Sequence, residues 1–131
     1  MEIEITFDGN KKINANLNGH LIKTDQPVRA GGDGSAPSPF DLFLASIGTC
    51  AGIFVKSFCD QRGLSTEKIR ILQHLEYSPE TKLYSKIDLE IILPADFPEK
   101  YIQPLIHTAE LCTVKRHLHQ PPAMKIYTSV R

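Results

Sequence analysis

The sequence predicts an α+β fold, with a three-stranded meander before one long apolar helix and a strand hairpin after it. Three observations predict this. The N-terminal residues alternate with period two, placing Ile3, Ile5 and Phe7 on one side against Glu2, Glu4 and Thr6 on the other. Residues 39–62 then hold a continuous helical pattern that is apolar on nearly every side over its first two-thirds. Alternation returns in residues 68–77 (KIRILQHLEY) and 83–93 (LYSKIDLEIIL), separated by the turn residues SPETK.

Each element follows from local chemistry. Asp8-Gly9-Asn10 and Asn18-Gly19 tolerate positive φ, so they place hairpin turns between strands at 2–7, 12–17 and 20–24. Residues 25–37 (DQPVRAGGDGSAP) form a Gly-rich loop, long enough inside a domain of this size to suggest function. Neither GxGxxG nor GxxxxGK[ST] spacing occurs in it, so a phosphate cradle is weakly supported. Ser38 caps the long helix, with Pro39 in its first turn, Asp41 three residues after the cap and Gly63 as the stop. Ala45, Gly48 and Gly52 make a stripe of small residues that lets another backbone come close, with the same helix of a second chain as a candidate. A second helix is expected from Asp96 and Glu99 to about Leu111, bent at Pro104. Thr113 is expected to cap a short third helix, VKRHLH, ended by Pro121-Pro122. Residues 124–130 alternate as a final strand. The predicted order is βββ-α-ββ-α-β, in a single domain over residues 1–131.

Composition excludes several function classes. Fifteen basic residues balance fifteen acidic ones in 131 residues, and the two signs are interspersed. No basic stripe is available for nucleic acid or an anionic membrane. The N-terminal MEIEITF is acidic and alternating rather than basic and then apolar, and no uninterrupted apolar run has bilayer length. The expectation is a cytoplasmic protein, in which Cys50, Cys59 and Cys112 do not form a structural disulfide framework.

The cysteines carry the chemistry. Cys50 lies in the apolar helix, and Phe43, Ser46, Ile47, Ile53, Phe54 and Ser57 share its face. Buried cysteine packs like a small hydrophobe, and Cys50 is too far from the helix start for the dipole to activate it. Cys59 falls on the opposite side and reads as packing. Cys112 sits where a short helix begins, with Lys115 and Arg116 close behind, so local composition favours activation at Cys112 over Cys50. His107, Cys112, His117 and His119 lack metal-ligand spacing, and neither metal nor cofactor is expected.

The pair APSPFDLFLASIGTC and AELCTVKRHL, together with the βββ-α-ββ-α-β order, resembles the OsmC/Ohr family over essentially the whole chain. The resemblance is closer to a less characterised short branch than to the organic hydroperoxide resistance peroxidases. It implies an intertwined homodimer with active sites at the subunit interface. It also implies a thiol peroxidase in which Cys50 attacks an organic hydroperoxide and Cys112 resolves the product. A dithiol or lipoyl-type reductant would restore the thiols. Phe43, Ile47 and Phe54 would form an apolar substrate pocket. Peroxidase members carry an activating arginine on the N-terminal strands, whereas the first arginine here is Arg29, in the Gly-rich loop, the candidate to substitute for it at Cys50. Phe40 stands where those members have a glutamate, with Asp41 next, as helix cap or reaching a partner's site. Thr113 replaces the proline that often follows the second cysteine. The competing reading is a non-enzymatic redox-sensing or small apolar ligand-binding module on the same fold.

Overall fold

A computed structural model describes residues 1–131. It is a mixed α+β structure with two antiparallel sheets and three helices. The chain divides into two compact units, Met1–Ala45 and Ser46–Arg131, and the long helix begins in the first and continues into the second.

In the first unit, β1 (Glu4–Phe7), β2 (Ile13–Leu17) and β3 (His20–Thr24) form the expected meander, with Ile5 opposite Ala15 and Ala15 opposite Ile22. Asn10 and Asn18 take the positive φ that the turns require. Ile5 and Phe7, the apolar side of β1, are exposed, as is Ile3 just before it. The Gly-rich loop is folded around Asp25, which is fully buried. Its carboxylate accepts hydrogen bonds from the Gln26 amide (2.7 Å), the Ser35 amide (3.0 Å) and the Ser35 hydroxyl (2.6 Å). Those bonds, the Ser35 hydroxyl first, hold its pKa down at about 2. Gly32 is required for this closure, because a Cβ there would overlap the Gln26 carbonyl. The loop thus turns these donors onto its own carboxylate.

The long helix, α1, spans Pro39–Gln61. Its start is a reciprocal capping box: the Asp41 amide donates to Ser38 Oγ (3.2 Å) and the Ser38 amide to Asp41 Oδ2 (3.3 Å). Burial corrects the sequence reading. Ile47, Ala51, Val55, Phe58 and Cys59 are buried, but only 33% of the most apolar stretch is covered. Ile53 remains 59% exposed, so one face is open rather than none. The small-residue stripe is also reassigned. A Cβ on Gly48 would overlap the Gln73 carboxamide, and one on Gly52 would come to 3.8 Å from Ile71 Cδ1, so these positions admit a strand of the same chain.

That strand is β4 (Arg70–Ser78), paired with β5 (Leu83–Ile92) and bulged at Glu76/Tyr77. A 3-10 turn at Glu99–Tyr101 precedes α2 (Ile102–Ala109), which is shorter than expected. Pro104 falls in its first turn, where the missing N–H breaks no intrahelical bond. Leu105 reaches the core formed with Val55, Phe58 and Cys59, and Ile69, Ile91 and Phe97 pack around it. Arg62 lies 3.6 Å over the Phe58 ring and donates to the Phe58 carbonyl (3.0 Å), closing the C-terminal turn of α1.

The third helix, α3, spans Thr113–His119, and its cap is Cys112 rather than Thr113. Thr113 is already helical, so the sulfur one residue earlier takes the capping bond. The expected final strand over 124–130 does not form: no strand edge of the chain takes it up, and Ile126 and Val130 are fully exposed.

Candidate active site

The site is assembled where α3 begins against α1. A helix start leaves its first amides without intrahelical partners. Cys112 is extended (φ −48, ψ 131), and its sulfur accepts the Lys115 amide at 3.5 Å. The Thr113 and Val114 amides are then directed at a second sulfur, that of Cys50. Two thiols therefore share one helix start. Cys112 is 2% exposed and also approaches the Ile47 carbonyl (4.0 Å), whereas Cys50 is half-buried.

The electrostatics of the two sulfurs are opposite. Burial by itself would raise the Cys50 pKa. The Val114 amide, the Cys112 thiol, and the amide and hydroxyl of Thr113 outweigh it, leaving Cys50 below the ordinary thiol value. At Cys112 burial raises the pKa and the Lys115 amide opposes it only in part. The adjacent Cys50 sulfur raises it further. Of the two, Cys50 is therefore the sulfur that gives up its proton more readily, and Cys112 the one that keeps it. This reverses the expectation from composition, which favoured Cys112. The Lys115 amide serves the capping sulfur, the Thr113 amide serves Cys50, and the Val114 amide acts on both.

The other expected residues are placed as follows. Asp41 is occupied in the capping box. Arg29 lies in a one-turn 3-10 helix (Val28–Ala30), exposed to solvent. Phe43 stacks on Phe40 (5.5 Å between ring centres) and is 38% exposed. Phe54 is half-buried, and Ile47 borders a cavity that also reaches Cys112. Cys59 sits in the core, where burial raises its pKa, as suits a packing residue. Sequence reasoning missed the Val114 amide and the Thr113 hydroxyl. A backbone donor has no residue signature, although a helix starting directly after a cysteine implies free amides beside it.

The family model for OsmC-like proteins matches residues 32–126, a span that holds both Cys50 and Cys112. This chain belongs to the OsmC-like family. No curated protein sequence matches the chain. Among solved structures, it is similar to a putative osmotic stress induced and detoxification response protein from Psychrobacter arcticus. That match has 22% identity over 87% of this chain and 85% of that one, with a TM-score of 0.72. An OsmC-like protein from Mycoplasma pneumoniae matches at 14% identity, covering 92% and 87%, with a TM-score of 0.71. The organic hydroperoxide resistance protein OhrB of Bacillus subtilis matches at 17% identity, covering 92% and 93%, with a TM-score of 0.54. At these identities the likeness establishes the OsmC-like α+β fold.

Proposed function

We propose that this OsmC-like chain is a two-cysteine thiol peroxidase acting on organic hydroperoxides. The observation that carries this reading is the pairing of Cys50 with Cys112 at the start of α3, which lowers the Cys50 pKa and raises that of Cys112. The Cys50 thiolate attacks the terminal peroxide oxygen, the O–O bond breaks and an alkoxide leaves. That alkoxide takes the proton of Cys112 and departs as alcohol. The new Cys112 thiolate then attacks the Cys50 sulfenic acid, forming a disulfide and expelling hydroxide. An external dithiol or lipoyl-type reductant returns both thiols by exchange. On this reading the amides of α3 supply the stabilisation that an arginine would otherwise provide. The same reading takes residues 1–131 as one domain of a cytoplasmic homodimer. The open face of α1, with Phe43 and Ile53 on the side of Cys50, and the unpaired 124–130 segment support a second chain covering the site.

The test is variant chemistry. Cys50→Ser should abolish consumption of cumene hydroperoxide. Cys112→Ser should accumulate a sulfenic acid that dimedone traps on Cys50. Wild-type consumption by Cys50→Ser would end this reading.

A further inference from the structure

A cavity of about 490 Å³ lies among α1, β4, β5, α2 and α3, within the size range of small-molecule sites. Its wall is aliphatic, from residues such as Ile47, Ile71, Ile87, Leu105 and Leu118, and no aromatic ring lines it. Such a wall favours burial of a saturated chain and offers no ring for stacking. Three charged side chains border it: Asp88, Glu110 and Lys115. Asp88 is paired with Lys86 at 2.9 Å, and Glu110 faces His107 at 3.9 Å. The Lys115 ammonium has neither an ion-pair nor a hydrogen-bond partner. One more residue in the wall is Cys112, whose free thiol is hydrogen-bonded to that of Cys50.

We propose that this cavity binds a free aliphatic monocarboxylate, chain inward and carboxylate on Lys115, with an affinity set by the oxidation state of the Cys50–Cys112 pair. The inference uses the pairing of the two sulfurs but does not depend on peroxidase activity. Disulfide formation removes two protons and two electrons from the thiols and draws Cys112 Sγ to about 2.05 Å from Cys50 Sγ. The sulfur then leaves its position beside the Lys115 amide, where it caps α3 at 3.5 Å. Because α3 carries both Lys115 and Leu118, loss of this cap loosens the part of the wall that holds the carboxylate. Oxidation therefore weakens binding, and by reciprocity the bound carboxylate favours the reduced pair by the same factor.

The experiment is calorimetric titration of dodecanoate and dodecanol into reduced protein, diamide-oxidised protein and reduced Lys115→Met. Diamide takes up the two electrons and two protons, so no hydroperoxide is involved. A protein inert to hydroperoxides can still pass this test, which separates the two readings. Reduced protein should bind dodecanoate saturably, and oxidised protein ~10-fold more weakly, within the ~5–150-fold range of site coupling. Lys115→Met should weaken dodecanoate but leave dodecanol unchanged. Equal affinity in both redox states, absence of saturable binding, or an unchanged Lys115→Met would overturn the proposal. So would failure of diamide to form the Cys50–Cys112 bond. An affinity that falls as protein concentration rises would assign the cavity to a second copy of the chain, and would also overturn it.

Discussion

Replacing Thr113 with proline isolates what the start of α3 contributes to Cys50. Thr113 is the first helical residue, where proline is favoured because its missing N–H leaves no intrahelical bond unmade. The preceding Cys112 is already extended at φ −48, ψ 131, as a residue before proline must be. The substitution should therefore preserve α3 and its cap while removing two donors to Cys50, the Thr113 amide and hydroxyl. A hydrogen bond to a charged group contributes ~1.5–3 kcal/mol. These are the two weakest of the four donors, and water reaches the half-buried sulfur in their place. The expected combined loss is about 1.4 kcal/mol, or tenfold in thiolate population at neutral pH. Iodoacetamide alkylation followed by peptide mass spectrometry reads Cys50 separately from Cys59 and Cys112. Thr113→Pro should slow Cys50 about tenfold at pH ~7 and move the rate–pH profile to higher pH. Thr113→Val, which removes only the hydroxyl, should slow it less. A Thr113→Pro protein of unchanged helicity that alkylates at the wild-type rate would refute amide activation.

Other predictions concern packing and charge. Leu105 is 0% exposed at the centre of the core, so Leu105→Ala should cost ~2–5 kcal/mol in urea unfolding. A loss below ~1 kcal/mol would mean the core is centred elsewhere. Gly48→Ala gains helix propensity but overlaps the Gln73 carboxamide, and should destabilise by about 1 kcal/mol net. Adding Gln73→Ala should reverse that loss; if it does not, the contact is misplaced. The Asp25 carboxyl is lowered from 3.8 to about 2, so its contribution to stability is complete above the unfolded value and is lost as pH falls through the folded one. Between those two values, melting temperature should drop faster with acid in wild type than in Asp25→Asn, and parallel curves would contradict the assignment.

Much of this fold can be read from residues, because turns and caps are local. Asn10, Asn18 and the Ser38/Asp41 box announce themselves through side-chain chemistry, and the meander and α1 follow where expected. Burial is harder to read, because it depends on what lies opposite. The apolar pattern of α1 suggested cover on most faces, yet Ile53 is open, while Gly48 and Gly52 face β4. Residues 124–130 alternate like a strand, but alternation states only that two faces differ, and a strand also needs an edge to pair with. At the site, both sulfurs were legible as candidates, but their roles were not. Which thiol gives up its proton more readily depends on burial, on the contact between the two sulfurs and on the amides of Thr113, Val114 and Lys115, and side-chain identity does not encode these.

The most direct test of the account is to treat reduced protein with about one equivalent of cumene hydroperoxide and map its disulfides by mass spectrometry without reduction. A rapid, dose-matched Cys50–Cys112 bond, with Cys59 still a thiol, is the predicted result. Three unmodified thiols, or a bond that includes Cys59, would contradict it.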